Sequence, residues 1–460
     1  MPLALSASPQ SPFVPALDAN SQMKNRSPID GKTHAGNSTG LGIANYFERV
    51  AERELARCLD AAGAVLIEGP RACGKTAAAR RLAASEVLLD VDTTAQDLIA
   101  VDPAILLTGE TPRLIDEWQT APIIWNHVRR EVDARRGKGH FILTGSAVPA
   151  DDATRHTGAG RIVRLRLRPM SLYEMRRGTG QLSLRKLLDG ETVRCESQDL
   201  AIDELAEIVC TGGWPGHLEI STGDAMRVNR NYIDDICRID LEKVDGVRRE
   251  PDRILRLLQS LARNVATNAT VATIARDIAG GDRSPMKDHT AHAYLNALER
   301  IMVVENQPAW AAHLRSSSRM QVSPKRHFVD PSIAAAALDA GPEHLLADLE
   351  FFGFLFESLV IRDLRVYAQA MDAKVYHYRD DTGLEVDAII DAGPGRWAAL
   401  EVKLGVARID EAAKNLLKFA TKVDTRRSGK PAALGVIVDR GYGYRRADGV
   451  SVIPLGALGP

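Results

Sequence analysis

Cysteine is scarce in this chain: five in 460 residues (Cys58, Cys73, Cys195, Cys210, Cys237), none in a C-x-x-C pair. An odd count at that spacing argues against a disulfide framework and against a zinc site, so a cytoplasmic location is expected. Long apolar runs are missing too, since no stretch approaches the ~18 uninterrupted apolar residues of a membrane span. Residues 1–6 have neither a basic start nor a long apolar core. The expectation is a protein neither secreted nor membrane-spanning. Nor does one sign of charge dominate. With 59 Lys+Arg against 60 Asp+Glu the net charge is −1, so any contact with nucleic acid has to come from a local basic face. Residues 1–42 are rich in Ser, Pro, Asn and Gly with almost no aromatic content, too little to offset the entropy of ordering, and read as a disordered tail.

What the chain does have is G-P-R-A-C-G-K-T at residues 69–76, a complete G-x-x-x-x-G-K-[ST] phosphate loop. The apolar run 64–67 precedes it and an alanine-rich helical stretch follows. A glycine-rich turn between a buried strand and a helix can aim several backbone N–H groups at one anion. Gly69, Pro70, Arg71, Ala72, Cys73 and Gly74 are therefore read as the cradle of ATP, Lys75 as the β/γ-phosphate ligand and Thr76 as a Mg²⁺ ligand. A second Gly-Lys-Thr at 31–33 has no strand before it and no first glycine at the right offset, and is discarded. Short apolar runs at 64–67, 87–91, 114–116 and 141–143 interleave with helical stretches, which predicts a parallel, doubly wound α/β sheet.

The run 114–116 ends in Asp116-Glu117. In a parallel sheet the strand carboxyl ends face the ligand crevice, so Asp116 is expected to hold Mg²⁺ and Glu117 to polarise the attacking water; alone, the pair would read as a solvated turn. The next strand ends in Thr144-Gly145-Ser146, either small hydroxyls near the γ-phosphate, with Thr144 contacting nucleotide, or a plain turn. Arg161 follows a Gly-rich segment and is a candidate arginine finger, in cis or from a neighbouring subunit of a homo-oligomer. Against that, residues 163–168 alternate at period two, as a half-exposed strand does with Arg164, Arg166 and Arg168 in water. Cys73, at a positive helix end, is expected to be a reactive thiol whose alkylation blocks ATP binding.

Gly69-Pro70-Arg71, Asp116-Glu117 followed by Gln119, Thr144-Gly145-Ser146, Gly160-Arg161 and P-M-S-L-Y-E at 169–174 together resemble the prokaryotic AAA-type ATPases joined to a C-terminal domain-of-unknown-function 4143 region. The likeness runs from about Tyr46 to near the C-terminus. Such loops often carry Gln-Val where this chain has Ala72-Cys73, and a second hydroxyl where it has Ala77.

Between residues 201 and 335 the pattern is mostly helical. T-G-G-W-P at 211–215 reads as an inter-helix turn, resembling a Gly-Gly-aromatic-Pro element of the family. Helical stretches at 254–265 and 273–278, a turn at Gly280-Gly281-Asp282, a helix at 288–300 and a hairpin at 302–310 suggest a winged helix-turn-helix. Its third helix is hardly basic, although Arg283 and Lys287 add positive charge, so DNA contact and protein docking stay open.

Residues 336–460 carry a second constellation. The stretch 351–370 reads as an amphipathic helix with Glu357 inside its apolar face, followed by strands 385–390 and 397–403. Side chains alternate along a strand, so Glu401 and Lys403 share a face, which Asp387 joins if the hairpin pairs in register. This D…E-x-K set with a helical Glu resembles the PD-(D/E)XK nuclease fold. That resemblance implies Mg²⁺ on Asp387, Glu401 and the Val402 carbonyl with Glu357 nearby, and Lys403 orienting or deprotonating water. Flanked by Phe356 and Leu359, the Glu357 carboxylate needs something to satisfy it. Asn415 is a weaker, supporting candidate. The division expected is a tail (1–42), a P-loop ATPase domain (43–200), a helical and winged-helix region (201–335) and a nuclease-like domain (336–460). The function expected is ATP hydrolysis controlling a DNA-directed, nuclease-like module; the alternatives are an ATP-dependent signalling switch or a DNA-binding regulator with an inactive module.

Overall fold

The computed structural model describes residues 46–146, 157–242, 246–247, 249–278, 286–311 and 322–460. Residues 1–42 and the turn Gly280-Gly281-Asp282 with Arg283 lie outside them.

Strand β1 (Ala64–Glu68) is apolar on both faces, and Ala64, Val65, Leu66 and Ile67 are each at most 2% exposed. That burial follows from its place. β2 (Ser85–Leu88), β3 (Arg113–Asp116), β4 (Phe141–Gly145), β1 and β5 (Ile162–Arg166) form a five-stranded sheet in the order β2-β3-β4-β1-β5, with every neighbouring pair parallel. The expected parallel sheet is present, and the carboxyl ends of β1, β3 and β4 open on one side. Beneath them the short helix Lys75–Arg80 packs through Ala78 and Ala79, whose small side chains allow close approach to the sheet.

The helices Ile202–Thr211, Thr222–Asp235, Pro251–Arg263, Val271–Asp277 and Asp288–Arg300 follow. Of the last three, each packs on the next. The wing differs from expectation. Residues 302–310 do not close a hairpin on themselves; Val304 and Gln307 make antiparallel bridges with Phe328 and Lys325. No turn dipeptide interrupts 302–310, so this segment is one arm and its partner lies some twenty residues on.

The C-terminal sheet is mixed and has seven strands, ordered β7-β12-β13-β11-β10-β9-β8. β8 (Lys374–Arg379), β9 (Glu385–Asp391) and β10 (Trp397–Lys403) run antiparallel; β11 (Ala433–Val438) pairs parallel with β10 and with β13 (Ser451–Pro454), and β12 (Arg440–Arg445) lies beyond. Its other edge, β7 (Cys195–Asp199), comes from the segment assigned to the ATPase domain. A tiny second pairing does the same, since β6 (Leu182–Ser183) takes β14 (Leu458–Gly459) as its partner. The helix Leu349–Gln369 is not amphipathic: residues 355–368 are buried without interruption. It runs between the C-terminal sheet and the middle helices, and a helix covered on all sides shows no polar stripe. Its charged side chains are satisfied internally, Arg362 donating to Asp330 (2.9 Å) and Asp363 (2.8 Å).

Candidate functional sites

The chain leaves β1 directly into the phosphate loop. A Cβ on Gly69 would lie 2.2 Å from the Leu167 carbonyl oxygen, so only glycine allows the loop this close to the strand end after β5. Ala72 (φ 61°) and Gly74 (φ 95°) are left-handed, and that alternation curves successive N–H groups around one concavity suited to an anion. Lys75, 5% exposed, donates to the carbonyls of Gly69 (3.1 Å) and Pro70 (2.9 Å). Thr76 Oγ1 donates to Asp116 Oδ1 at 2.9 Å, and Thr144 donates to the same oxygen. A hydroxyl and a buried carboxylate in contact, both hard oxygen donors at the edge of the anion cradle, fit a Mg²⁺ ion bound together with phosphates.

Glu117 is held in place rather than left in a solvated turn. Its backbone is left-handed (φ 52°), and its N–H donates to Thr144 Oγ1 at 3.3 Å. Its Oε2 accepts from Gln119 Nε2 and from Ser146 Oγ (3.4 Å). The residues of the D-E-x-Q and T-G-S strings thus meet as one constellation, and Gly145 makes room for it: a Cβ there would sit 2.8 Å from Gln119 Oε1 and 2.9 Å from Trp118 Nε1.

Three features were not read from the sequence. Arg71 pairs with Asp240 (2.8 Å), so the middle helices touch the loop. A cavity of about 290 Å³ beside Gly74 and Ala77 is lined by Tyr46, Phe47, Met170, Pro215 and Leu218. Pro215 belongs to the Gly-Gly-Trp-Pro turn, which is more than a connection: the Gly213 carbonyl accepts from the Met170 N–H (2.6 Å) and its N–H donates to the Asp330 carboxylate (2.9 Å). Finally Arg49, 3% exposed, binds Glu174 (3.1 Å), the Cys73 carbonyl (2.8 Å) and the Arg168 carbonyl (2.6 Å) at once.

Two expectations are corrected. Cys73 is fully buried with its Sγ 3.5 Å from the Leu167 carbonyl, so its thiol is turned into the core and away from reagents. Arg161 precedes β5 at the amino end of the sheet; β1, aligned with β5, is followed by the phosphate loop only at its far end, about 13 Å away at 3.3 Å per residue. There Arg161 forms an exposed pair with Asp133 (2.9 Å), which excludes a finger role within its own subunit. The alternating arginines are not all in water either. Arg168 binds Glu305 through Nε (2.9 Å) and Nη2 (2.7 Å), and Arg166 and Arg365 each lie 3.8 Å from the same carboxylate. Burial pushes the Glu305 carboxyl up, but the three guanidiniums hold it well below the usual range.

The second constellation does assemble. β9 and β10 pair in the register that sets Asp387 beside Glu401 (Ala388 opposite Leu400). Lys403 Nζ donates to Glu401 Oε2 (2.6 Å) and Asp387 Oδ2 (3.3 Å), the Val402 N–H donates to Asp387 Oδ2 (2.9 Å), and Asn415 donates to Glu401 Oε1 (2.7 Å). Glu357 has its satisfying partner, and it is a residue the sequence did not single out. Lys325, from the middle region, donates to Glu357 Oε1 at 2.7 Å and to Asp387 Oδ1 at 2.9 Å. A lone lysine 32 positions before Glu357 carries no local signal.

This second set does not fit a metal. Among the described residues, no group of three or more His, Cys, Asp or Glu side chains is disposed to hold a metal ion. Each of the three carboxylates already accepts from an ammonium. The expected Mg²⁺ ligands Glu357, Asp387 and Glu401 are instead parts of an ion network with two lysines. Burial first, then the neighbouring Asp387 charge, pushes Glu357 up to about 7 and Glu401 up to about 8. Asp387 is driven the other way, because Lys325 and Lys403 together outweigh its burial.

Three family models match successive parts of the chain: an AAA domain at residues 61–176, a domain of unknown function (DUF8612) at 202–344, and a domain of unknown function (DUF4143) at 352–458. Uncharacterized proteins of Mycobacterium tuberculosis and Mycobacterium bovis are each 26% identical to it over 360 residues, covering 77% of this chain and 73% of theirs. No helix is long and apolar enough to cross a membrane among the described residues. With the phosphate loop, its acidic pair and the parallel sheet on one side and the mixed C-terminal sheet on the other, this chain is an AAA-type domain fused to a C-terminal DUF4143 region.

Proposed function

We propose that the protein binds and hydrolyses ATP at residues 69–76, and that nucleotide state acts on the C-terminal module as a switch. The observation that carries this reading is the contact of Thr76 Oγ1 with Asp116 Oδ1, with Glu117 anchored beside it by Gln119 and Ser146. In this scheme the loop N–H groups and Lys75 bind the phosphates, and Thr76 and Asp116 hold Mg²⁺, which supplies charge neutralisation on the phosphate oxygens when bound. Thr144 steadies Asp116. Glu117 orients the attacking water and takes its proton. The apolar cavity by Gly74 and Ala77, lined by Tyr46, Phe47, Pro215 and Leu218, suits the adenine base.

The switch reading is supported by a continuous set of contacts. Arg49 joins the loop carbonyl of Cys73 to Arg168; Arg168 holds Glu305; Glu305 and Gln307 pair by backbone with His327 and Lys325. Lys325 ends in the C-terminal cluster. The test is ATP turnover by wild type, Lys75→Ala and Glu117→Gln. The reading expects no turnover from either variant and retained ATP binding by Glu117→Gln; hydrolysis at the wild-type rate in Lys75→Ala would remove the loop from the scheme.

A second reading, a DNA-directed nuclease with Lys403 as its catalytic lysine, draws on the Asp387, Glu401 and Lys403 grouping. Lys325 counts against it, as does the outer face of the helix Asp288–Arg300, whose exposed residues Asp288, His289, His292, Ala293 and Asn296 include no lysine or arginine. An Arg161 finger in trans requires a homo-oligomer, which sedimentation with and without ATP would test.

A further inference from the structure

The C-terminal cluster presents a mismatch between its carboxylates and its counter-charge. Glu357, Asp387 and Glu401 are 8%, 8% and 4% exposed and bring three carboxyl groups into one buried place. A PD-(D/E)XK centre would neutralise such a set with a divalent ion. Here one neutralising charge, Lys403, comes from the strand that carries Glu401, and the other, Lys325, is delivered from a different part of the fold.

Lys325 is not a side chain that has wandered in. Its N–H and C=O pair with the C=O and N–H of Gln307 at 3.0 and 2.9 Å. Gln307 Nε2 in turn donates to the Tyr376 and Asp387 carbonyls, both at 2.9 Å. Next in the chain, Arg326 is tied on both sides, donating to the Thr267 carbonyl (2.9 Å) and accepting from the Ala266 N–H (2.7 Å). The backbone that carries Lys325 is therefore fixed against the very strand whose Asp387 it neutralises. With 4% of its side chain exposed and charge-assisted bonds to two different carboxylates, the ammonium bridges Glu357 and Asp387 from between them. A magnesium ion bridging the same oxygens needs near-octahedral oxygen ligands at about 2.1 Å, a demand that cannot be met while an ammonium stands among them.

We propose that Lys325 is the resident cation of the C-terminal cluster: an ammonium supplied by the middle region stands where a nuclease centre of this shape would hold its metal, closing the cluster to divalent ions and locking the two regions together. The inference goes beyond ATP hydrolysis and does not depend on it. It bears on how the second module is built, and it accounts for the neutralisation of a helical glutamate, a strand aspartate and an E-x-K strand in one buried place.

The test uses the full-length, nucleotide-free chain and Mn²⁺ as probe, read by electron paramagnetic resonance of the free ion. Wild type and Asp387→Asn are expected to take up the same amount of Mn²⁺. Lys325→Met, which keeps the length of the stem without its charge, is expected to gain one bound Mn²⁺ per chain, and Lys325→Met with Asp387→Asn to lose it again. A wild-type Mn²⁺ site that disappears in Asp387→Asn overturns the proposal. So does a folded Lys325→Met that gains none. Should Lys325→Met fail to fold, the comparison of wild type with Asp387→Asn and with Glu401→Gln decides alone.

Discussion

Arg49 donates to the carbonyl oxygen of Cys73 at 2.8 Å, so a residue ahead of the first strand grips the phosphate loop from behind. The same guanidinium is paired with Glu174, and both side chains are at most 2% exposed. Removing one member of a buried pair leaves the other uncompensated, at a cost of about 3–5 kcal/mol. Arg49→Ala should therefore lower the unfolding free energy by that order and weaken ATP binding together. Arg49→Lys should recover little of either, because a point charge cannot reach Glu174, the Cys73 carbonyl and the Arg168 carbonyl simultaneously. Denaturant unfolding and nucleotide titration of the two variants check this.

Gly145→Ala should separate binding from turnover. Its backbone tolerates alanine, but the added carbon would press on Gln119 and Trp118, and Gln119 is what steadies Glu117. A misplaced water-orienting group costs at least about tenfold in rate, since general-base assistance is worth roughly 10²–10⁴. Steady-state ATPase assays should show that fall in kcat with ATP affinity changed less than about twofold, within the spread of a small packing effect.

Cys73 should resist thiol reagents. Its side chain has no exposed surface and points at the Leu167 carbonyl, so modification requires the loop to open. Mass spectrometry after brief alkylation should find Cys73 unmodified in the folded protein and modified once denaturant is added. Rapid labelling of native protein would contradict the buried placement.

Arg161→Ala tests the opposite case. An exposed ion pair such as Arg161–Asp133 contributes about 0–1 kcal/mol, so stability should hardly move. If the arginine serves no neighbouring subunit, kcat should stay within about twofold of wild type, the range of a remote surface change. A larger loss that grows on dilution would instead mark a finger acting between subunits.

The parts of this molecule that local pattern specifies were readable without the fold. Phosphate loop, acidic pair and T-G-S turn each sit on contiguous residues, and strand alternation alone was enough to set Glu401 and Lys403 on one face. Contacts made by closure of the chain were not. Lys325 meets Glu357 and Asp387 across 32 and 62 residues, and β7 joins a sheet whose other strands begin 175 residues later. Period-two arginines in residues 163–168 gave the correct strand but, for Arg166 and Arg168, the wrong environment, because alternation reports that one face is polar and not whether water or Glu305 covers it. The same holds for the helix Leu349–Gln369. Its polar residues suggested a wet side, where the fold supplies Asp330 and Lys325 instead.

The ion network also has a pH signature. Burial, then the Asp387 charge, raises Glu401 to about 8, against about 4.3 for an unfolded glutamate. The folded protein thus keeps a proton that the unfolded chain releases, and by linkage this carboxyl's contribution is complete below the unfolded value and is lost as pH climbs through about 8. Asp387, held low by the two lysines, works in the opposite sense, its contribution being lost only as pH falls below the ordinary aspartate range. His327, kept neutral by burial, also opposes at acid pH, so the wild-type curve alone mixes several groups. Glu401→Gln isolates the one in question, since the amide stands in for the protonated acid at every pH. The difference in thermal midpoint between wild type and Glu401→Gln should be smallest at pH 5 and should widen steadily in favour of the variant as pH climbs through about 8. A difference that stays flat from pH 5 to 9 would mean that Glu401 titrates as an ordinary surface carboxylate, and the network around Lys403 and Asn415 would have to be redrawn.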